Sequence, residues 1–242
     1  MVSGLVIITG ASSGLGLALA RTTPFPATTV DVSRSGPPEG EGVEHITADL
    51  SHPEEWIRVG KVMERLVAEH SPDRIVFIHA AGTLTPIGFA GEVETGKYTA
   101  NVVLNSAAGQ VLGHLFLRAV HDIEAIVDLV MISSGAARSV YAGWSSYGAG
   151  KAALDQWVRN VGAEQRERGG VRVSAIAPGV IATEMQAEIR ETSEEDFPKV
   201  ERFHELHEEE ELVEADVAAH RVWDAIESGI ETGSVIDVRE RD

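Results

Sequence analysis

Tyr147 and Lys151 stand four residues apart in Tyr147-Gly148-Ala149-Gly150-Lys151, inside a stretch of helical periodicity. Residues at that spacing share a helix face, so the ammonium reaches over the same surface as the phenol. A free phenol titrates near pH ~10 and is a poor acid or base at neutrality, but a neighbouring cation favours its anion and suits it to proton transfer. By itself the pair is weak, because a half-buried tyrosine beside an exposed lysine has the same pattern. A second feature lies upstream, where Met131-Ile132-Ser133-Ser134-Gly135 closes an apolar run. A hydroxyl at the C-terminal end of a strand points into the crevice where doubly wound sheets bind ligands. There Ser134 would donate to an oxygen as negative charge develops on it, while alternation along the strand sends Ser133 to the other face.

A third feature is Thr9-Gly10-Ala11-Ser12-Ser13-Gly14-Leu15-Gly16, which follows an apolar run and opens an amphipathic stretch. A glycine-rich turn from strand to helix lets the backbone approach a pyrophosphate, with free amides and the positive end of the helix dipole toward the anion. Glycines used only for a tight turn would look the same in isolation. Here the strand-to-helix setting favours a dinucleotide.

The elements that must position these groups alternate along the chain. β-Branched runs at 5–9, 28–32, 43–47, 75–78, 127–132, 171–177 and 234–238 predict strands, and helical periodicity covers 15–21, 54–69, 98–121, 146–168 and 215–228. That alternation predicts an α/β chain: a single-domain, doubly wound Rossmann fold with a seven-stranded parallel sheet and helices on both faces. No linker divides residues 1–242, and the two irregular pieces are 33–42, rich in Gly and Pro, and 184–214, rich in Glu and His.

Composition excludes several classes. A formal net charge of −18 argues against a nucleic-acid partner. The absence of cysteine removes disulfides and thiolate metal sites and fits a cytoplasmic protein. Apolar runs are too short or too interrupted to span a bilayer, and Met1-Val2-Ser3-Gly4 lacks the basic region of a signal peptide, so no membrane association is expected. His204, His207 and the acidic run 208–211 lack the closed spacing of a zinc site; we read them as a solvated helix face and expect no metal.

Taken together, the glycine turn, Ser134 thirteen positions before Tyr147 (147 − 134), and the Tyr147/Lys151 pair resemble the short-chain dehydrogenase/reductase family, over nearly the whole chain. The turn has the family's T-G-x-x-x-G-x-G pattern. Ser133 to Ala137, Tyr141 to Ser145 and 179–189 are closest to the bacterial sepiapterin reductase and benzil reductase type. The resemblance implies reduction of a small-molecule carbonyl, one carbonyl of a vicinal diketone or a pterin-like side chain. Ser134 would polarise the oxygen, Tyr147 protonate it, and Lys151 hold the nicotinamide ribose and restore the proton. Asn105, followed by small residues as in the family, would hold a water linking Lys151 to solvent; Asn101 is its rival one turn earlier. Gly10, Ser12, Ser13, Gly14, Leu15 and Gly16 would cradle the pyrophosphate, and Asp49-Leu50 would meet the adenine. Ala81-Gly82 would let the cofactor lie against the backbone. Pro178, Gly179, Ile181 and Thr183 would meet the nicotinamide carboxamide. His79-Ala80-Ala81-Gly82 departs from the family's Asn-Asn-Ala-Gly, so another contact must tie the strands there.

By the family's registration, Ser33 takes the place of the NAD-selective acid and Arg34 follows it, with the hydroxyls of Ser33 and Ser35 as further donors around it. A guanidinium suits a 2′-phosphate, so NADP(H) is the expected cofactor. A one-residue slip would hand the place to Asp31 and favour NAD, and the second basic residue that many NADP-using relatives carry is Ser13 here. Tyr141, Trp144 and Met185 would line the substrate site for a flat apolar ligand, or form subunit contacts. Segment 184–214 would cover the substrate. By analogy the protein is a homodimer or homotetramer. The alternatives are an NAD-linked alcohol dehydrogenase and a catalytically silent NADP sensor or scaffold.

Overall fold

Strands form at each β-branched run: β1 (Gly4–Thr9), β2 (Ala27–Ser33), β3 (Glu44–Thr47), β4 (Arg74–His79), β5 (Ile126–Ile132), β6 (Arg172–Ala177) and β7 (Ser234–Asp237). In the computed structural model, which describes residues 4–241, they pair in parallel in the order β3-β2-β1-β4-β5-β6-β7. The chain leaves β1 toward one edge and returns beside it as β4. This reversal opens a crevice beyond the C-terminal ends of β1 and β4, the place where such sheets bind ligands.

Both faces of the sheet are covered, so successive strand residues enter different cores. Leu5 and Ile7 of β1 join one core with Val59 and Leu66 of α2 (Pro53–His70). Val6 and Ile8 join the other with Leu19 of α1 (Gly14–Arg21). The second face is closed by a late helix whose Trp223 is 2% exposed, donates from its indole N–H to the Leu19 carbonyl at 3.0 Å, and meets Phe25 edge-on. Truncating such a residue typically costs about 3–5 kcal/mol, so the N- and C-terminal thirds of the chain are locked together here.

The helix expected at 98–121 forms in three continuous pieces: α3 (Thr95–Val102), a π-helical segment (Val103–Ala108) and α4 (Gly109–Ala119). Glu94 caps its start, accepting from the amides of Gly96 at 2.6 Å and Lys97 at 2.8 Å. The widened turn contains Asn105, and such bulges gather at functional sites. α5 (Ser145–Arg168) carries Tyr147 and Lys151.

The reading of 184–214 as irregular is corrected. It contains α6 (Glu184–Arg190) and α7 (Val200–Glu208), which precede α8 (Ala215–Glu227), the helix of Trp223. Ile189, Val200 and Phe203 are buried in a small third core. The short apolar stripes lie inside a run of glutamates, which masks their period in the sequence.

Candidate active site

The turn after β1 can be built only with glycine at its contact points. Gly10 has φ +77°, and a Cβ there would lie 2.9 Å from the Ala81 Cα. A Cβ on Gly16 would lie 2.2 Å from the Gly10 carbonyl oxygen. The backbone is therefore folded tightly on itself and against the end of β4. Ser12, Ser13, Gly14 and Leu15 line a crevice of about 800 Å³. Ser13 precedes α1 without a capping side-chain bond, leaving the helix N-terminus suited to an anion. These features fit a pyrophosphate.

Asp31 is fully buried and saturated with donors. Its carboxylate accepts from the Ala11 amide at 2.7 Å, the Ser33 hydroxyl at 2.6 Å and His45 Nδ1 at 2.8 Å. It braces the phosphate turn from behind and does not line the crevice. The slipped registration that would give it a ribose thus has no support. Ser33 lines the crevice, but its single proton goes to Asp31, so Ser35 rather than Ser33 is the free hydroxyl donor beside Arg34. Arg34 is exposed at the crevice wall, which Asp49 and Leu50 also line.

At the end of β4 the missing asparagine is replaced by a bridge between strands: His79 Nδ1 and Thr9 Oγ1 lie 2.9 Å apart, and Thr9 Oγ1 accepts from the Ala81 amide at 3.1 Å. Burial, with Lys151 adding to it, pushes the His79 pKa down to about 3, so the ring is neutral. Ala81 and Gly82 line the crevice. A Cβ on Gly82 would sit 2.9 Å from Asn105 Oδ1 and 3.5 Å from Lys151 Nζ.

Asn105 and Asn101 act as a pair. The Asn105 amide donates to the Thr83 carbonyl at 2.7 Å and to Asn101 Oδ1 at 2.9 Å, and its oxygen accepts from the Thr83 amide at 3.1 Å. Asn101 donates to the carbonyls of Thr83, Leu84 and Thr85 at 3.0–3.3 Å. The two side chains thus fix the segment after β4 and are both spent on it; neither bonds to Lys151. Gly150 lets α5 approach the widened turn, since a Cβ there would lie 2.9 Å from the Asn105 Cβ.

Tyr147, Ser134 and Lys151 line the same crevice, with Tyr147 and Lys151 buried in its wall. The Tyr147 phenol has the Ser134 hydroxyl as its polar neighbour, and the Ser134 oxygen accepts from the Ala136 amide at 3.2 Å. Lys151 is 3% exposed, donates to the Ile132 carbonyl at 2.8 Å and lies 5.9 Å from the centre of the Tyr147 ring. The phenol does not show the lowered pKa expected of it. Burial holds Tyr147 above its ordinary value, and the Ser134 hydroxyl offsets only part of this. Burial brings Lys151 down to about 8 against the pull of Asp155. The ammonium is turned to a carbonyl rather than to the phenol oxygen, which explains the difference.

Beyond this group an aromatic wall begins. Trp144 stacks on Phe197 at 4.5 Å, with Tyr141 at 4.9 Å and Phe203 at 5.4 Å between ring centres, and Met185 packs against the cluster. Pro178, Gly179, Ile181 and Thr183 form the adjoining wall, with the Thr183 methyl 3.4 Å from the position of a Gly14 Cβ. The segment carrying α6 and α7 is closed at its base: Ala182 donates to the Val213 carbonyl at 2.9 Å, and Val213 to that of Val180 at 3.0 Å. Phe197, Phe203, Arg202 and Arg239 were not expected from sequence. The two phenylalanines carried a signal, being the apolar aromatics of an otherwise acidic run.

The model of the short chain dehydrogenases matches residues 4–194, most of the chain. The chain belongs to the short chain dehydrogenase family. It is 36% identical to benzil reductase ((S)-benzoin forming) of Bacillus subtilis, covering 98% of each chain, and 32% identical to that of Bacillus cereus, covering 97% of this chain and 99% of the other. A crystal structure of a short chain dehydrogenase/reductase from Saccharomyces cerevisiae superposes with a TM-score of 0.81 over 97% of this chain and 96% of the other, at 22% identity, which concerns the fold alone. The resemblance read from the turn, the serine and the Tyr147/Lys151 pair therefore holds, both for the family and for the benzil reductase type. Membership makes the chain an oxidoreductase that works with a nicotinamide cofactor, NAD or NADP. Among the described residues no helix is long and apolar enough to cross a membrane.

Proposed function

We propose that this protein reduces one carbonyl of a vicinal diketone to the secondary alcohol, using NADPH. The observation that carries the reading is that Ser134, Tyr147 and Lys151 line one crevice together with Tyr141 and Trp144 of the aromatic wall. The activity for which the Bacillus relatives are named supports it, since benzil is a diaryl 1,2-diketone and benzoin its singly reduced hydroxy ketone. The reduced dinucleotide, when bound, supplies the hydride.

The chain's own residues supply the rest. Ser134 donates to the carbonyl oxygen as charge gathers there, and Tyr147 gives that oxygen its proton. A phenol held above its ordinary pKa stays protonated through the neutral range, as an acid for reduction must. Lys151, near 8, remains largely cationic at neutrality and returns the proton. Asn105, with Asn101, holds the Thr83 segment and the neighbouring Gly82 beside Lys151. Trp144, Tyr141 and Met185 offer an apolar face to an aryl group.

On the cofactor side, residues 10–16 take the pyrophosphate, Arg34 with Ser35 the 2′-phosphate, and Asp49-Leu50 the adenine. Ala81-Gly82 lies under the ribose, while Pro178, Gly179, Ile181 and Thr183 face the carboxamide. Segment 184–214 covers the substrate within a single domain, the protein is a homodimer or homotetramer, and a chain without cysteine suits the cytoplasm.

Loss of NADPH absorbance with a panel of aromatic and aliphatic diketones tests the reading. Wild type should turn over at least one, and Tyr147→Phe should lose about 10²–10⁴-fold in kcat while still binding NADPH. No turnover by wild type, or undiminished turnover by the variant, would overturn it.

A further inference from the structure

β7 ends at Asp237, which is 2% exposed, and the chain passes directly into a single 3₁₀ turn (Val238–Arg241). Asp237 holds Arg239 in a fork: Nε donates to Oδ1 at 2.9 Å and Nη2 to Oδ2 at 2.6 Å, while the Arg239 amide donates to Oδ1 at 3.1 Å. A bidentate, buried anchor of this kind fixes the plane of the guanidinium. Of its five N–H groups, two are spent on Asp237, leaving three.

The anchored group points along the crevice wall. A Cβ on Gly179 would touch Arg239 Cδ at 3.3 Å, so the stem lies on the turn after β6. A Cβ on Gly135 would lie 3.9 Å from Arg239 Nη2, so the head sits over the residue next to Ser134. Arg239 lines the same crevice as Ser134 and Tyr141 and keeps half of its side chain exposed. Neither the glycine turn nor the Tyr147/Lys151 pair uses it.

We propose that Arg239 receives the second, non-reacting carbonyl oxygen of a vicinal diketone while Ser134 and Tyr147 hold the first. This rests on the diketone reading given above. The two oxygens of such a substrate stand on adjacent carbons, and a donor over Gly135, the residue after Ser134, is placed to partner the second. Hydride and one proton enter a single carbonyl, and the other leaves unchanged. With that carbonyl seated on Arg239 rather than Ser134, the hydroxy ketone is presented in the wrong register for a second reduction. Arg239 is thus a specificity-determining residue that favours diketones over simple ketones and stops the reaction after one step.

Benzil and deoxybenzoin, which differ by one carbonyl oxygen replaced with two hydrogens, isolate the contact. For the full chain with NADPH, kcat/KM should favour benzil. In Arg239→Gln that preference should fall by about tenfold to a hundredfold, the usual consequence of losing a charged hydrogen bond, with the change mainly in KM. Arg239→Lys, which keeps a cation but not the fork, should recover part of the preference, and circular dichroism melting shows whether each variant is folded. A folded Arg239→Gln whose benzil-to-deoxybenzoin ratio matches wild type overturns the assignment, as does equal loss on both ketones. Wild type inert toward both compounds, by contrast, removes the diketone reading beneath it.

Discussion

The hydroxyl of Ser133 donates to the carboxylate of Asp155 at 2.5 Å, with both side chains buried. Ser133 adjoins Ser134 at the end of β5, and Asp155 lies one turn beyond Lys151 on α5. One bond therefore sets the spacing between the strand that presents the hydroxyl and the helix that presents the ammonium. Asp155 also works to keep Lys151 protonated against burial.

Asp155→Asn separates these two effects, because the amide oxygen can still accept from Ser133 while the charge is gone. The Lys151 pKa then falls further below about 8, and the alkaline limb of kcat/KM moves to lower pH. Asp155→Leu strands the serine hydroxyl as well and should cost about 1–3 kcal/mol of stability. A pH–rate profile of Asp155→Asn that overlays wild type would remove the electrostatic role.

His79 makes stability depend on acid. Its native pKa is about 3 against an ordinary 6.5, so below pH ~6.5 the unfolded chain takes up a proton that the native chain refuses. Stability is therefore lost as pH falls from 6.5 toward 3, at about 1.4 kcal/mol per unit, or about 2 kcal/mol by pH 5. His79→Asn should lack that part of the slope, and urea unfolding at pH 7 and pH 5 measures the difference. Identical slopes in the two proteins would show that the imidazole does not titrate this way.

On the proposed NADPH reading, Arg34→Ala should weaken NADPH binding by about tenfold to a hundredfold, the effect expected of removing a guanidinium from a phosphate. NADH binding should change by less than about threefold. Fluorescence titration of both cofactors reads the pair directly, and an unchanged NADPH affinity would exclude Arg34 as the 2′-phosphate ligand.

Much of this architecture is legible in the residues because its signals are local. β-Branched runs mark β1 to β7, and the glycines at 10 and 16 announce a backbone that approaches Ala81 and itself too closely for any side chain. What stays hidden depends on long-range neighbours. Nothing around Val30-Asp31-Val32 says that Asp31 will meet Ala11 and His45, or that Ser33 will spend its proton there. The raised Tyr147 phenol comes from burial under an aromatic wall, half of which arrives from α7 and the stretch before it. Arg239 lies at the far end of the chain and reaches Gly135 only because β7 joins the sheet beside β6.

The bridge between Ile181 and Val213 brings the two ends of the α6–α7 segment to a single point. Because the excursion starts and finishes there, its length can change without altering strand spacing, so long as Phe197 and Phe203 still pack over Tyr147 on α5. Closing a longer loop costs little, about 0.6 kcal/mol for each doubling. The region is thus an exchangeable cartridge: new ketones can be accommodated by rewriting the residues around that aromatic pair while the strands beneath stay as they are.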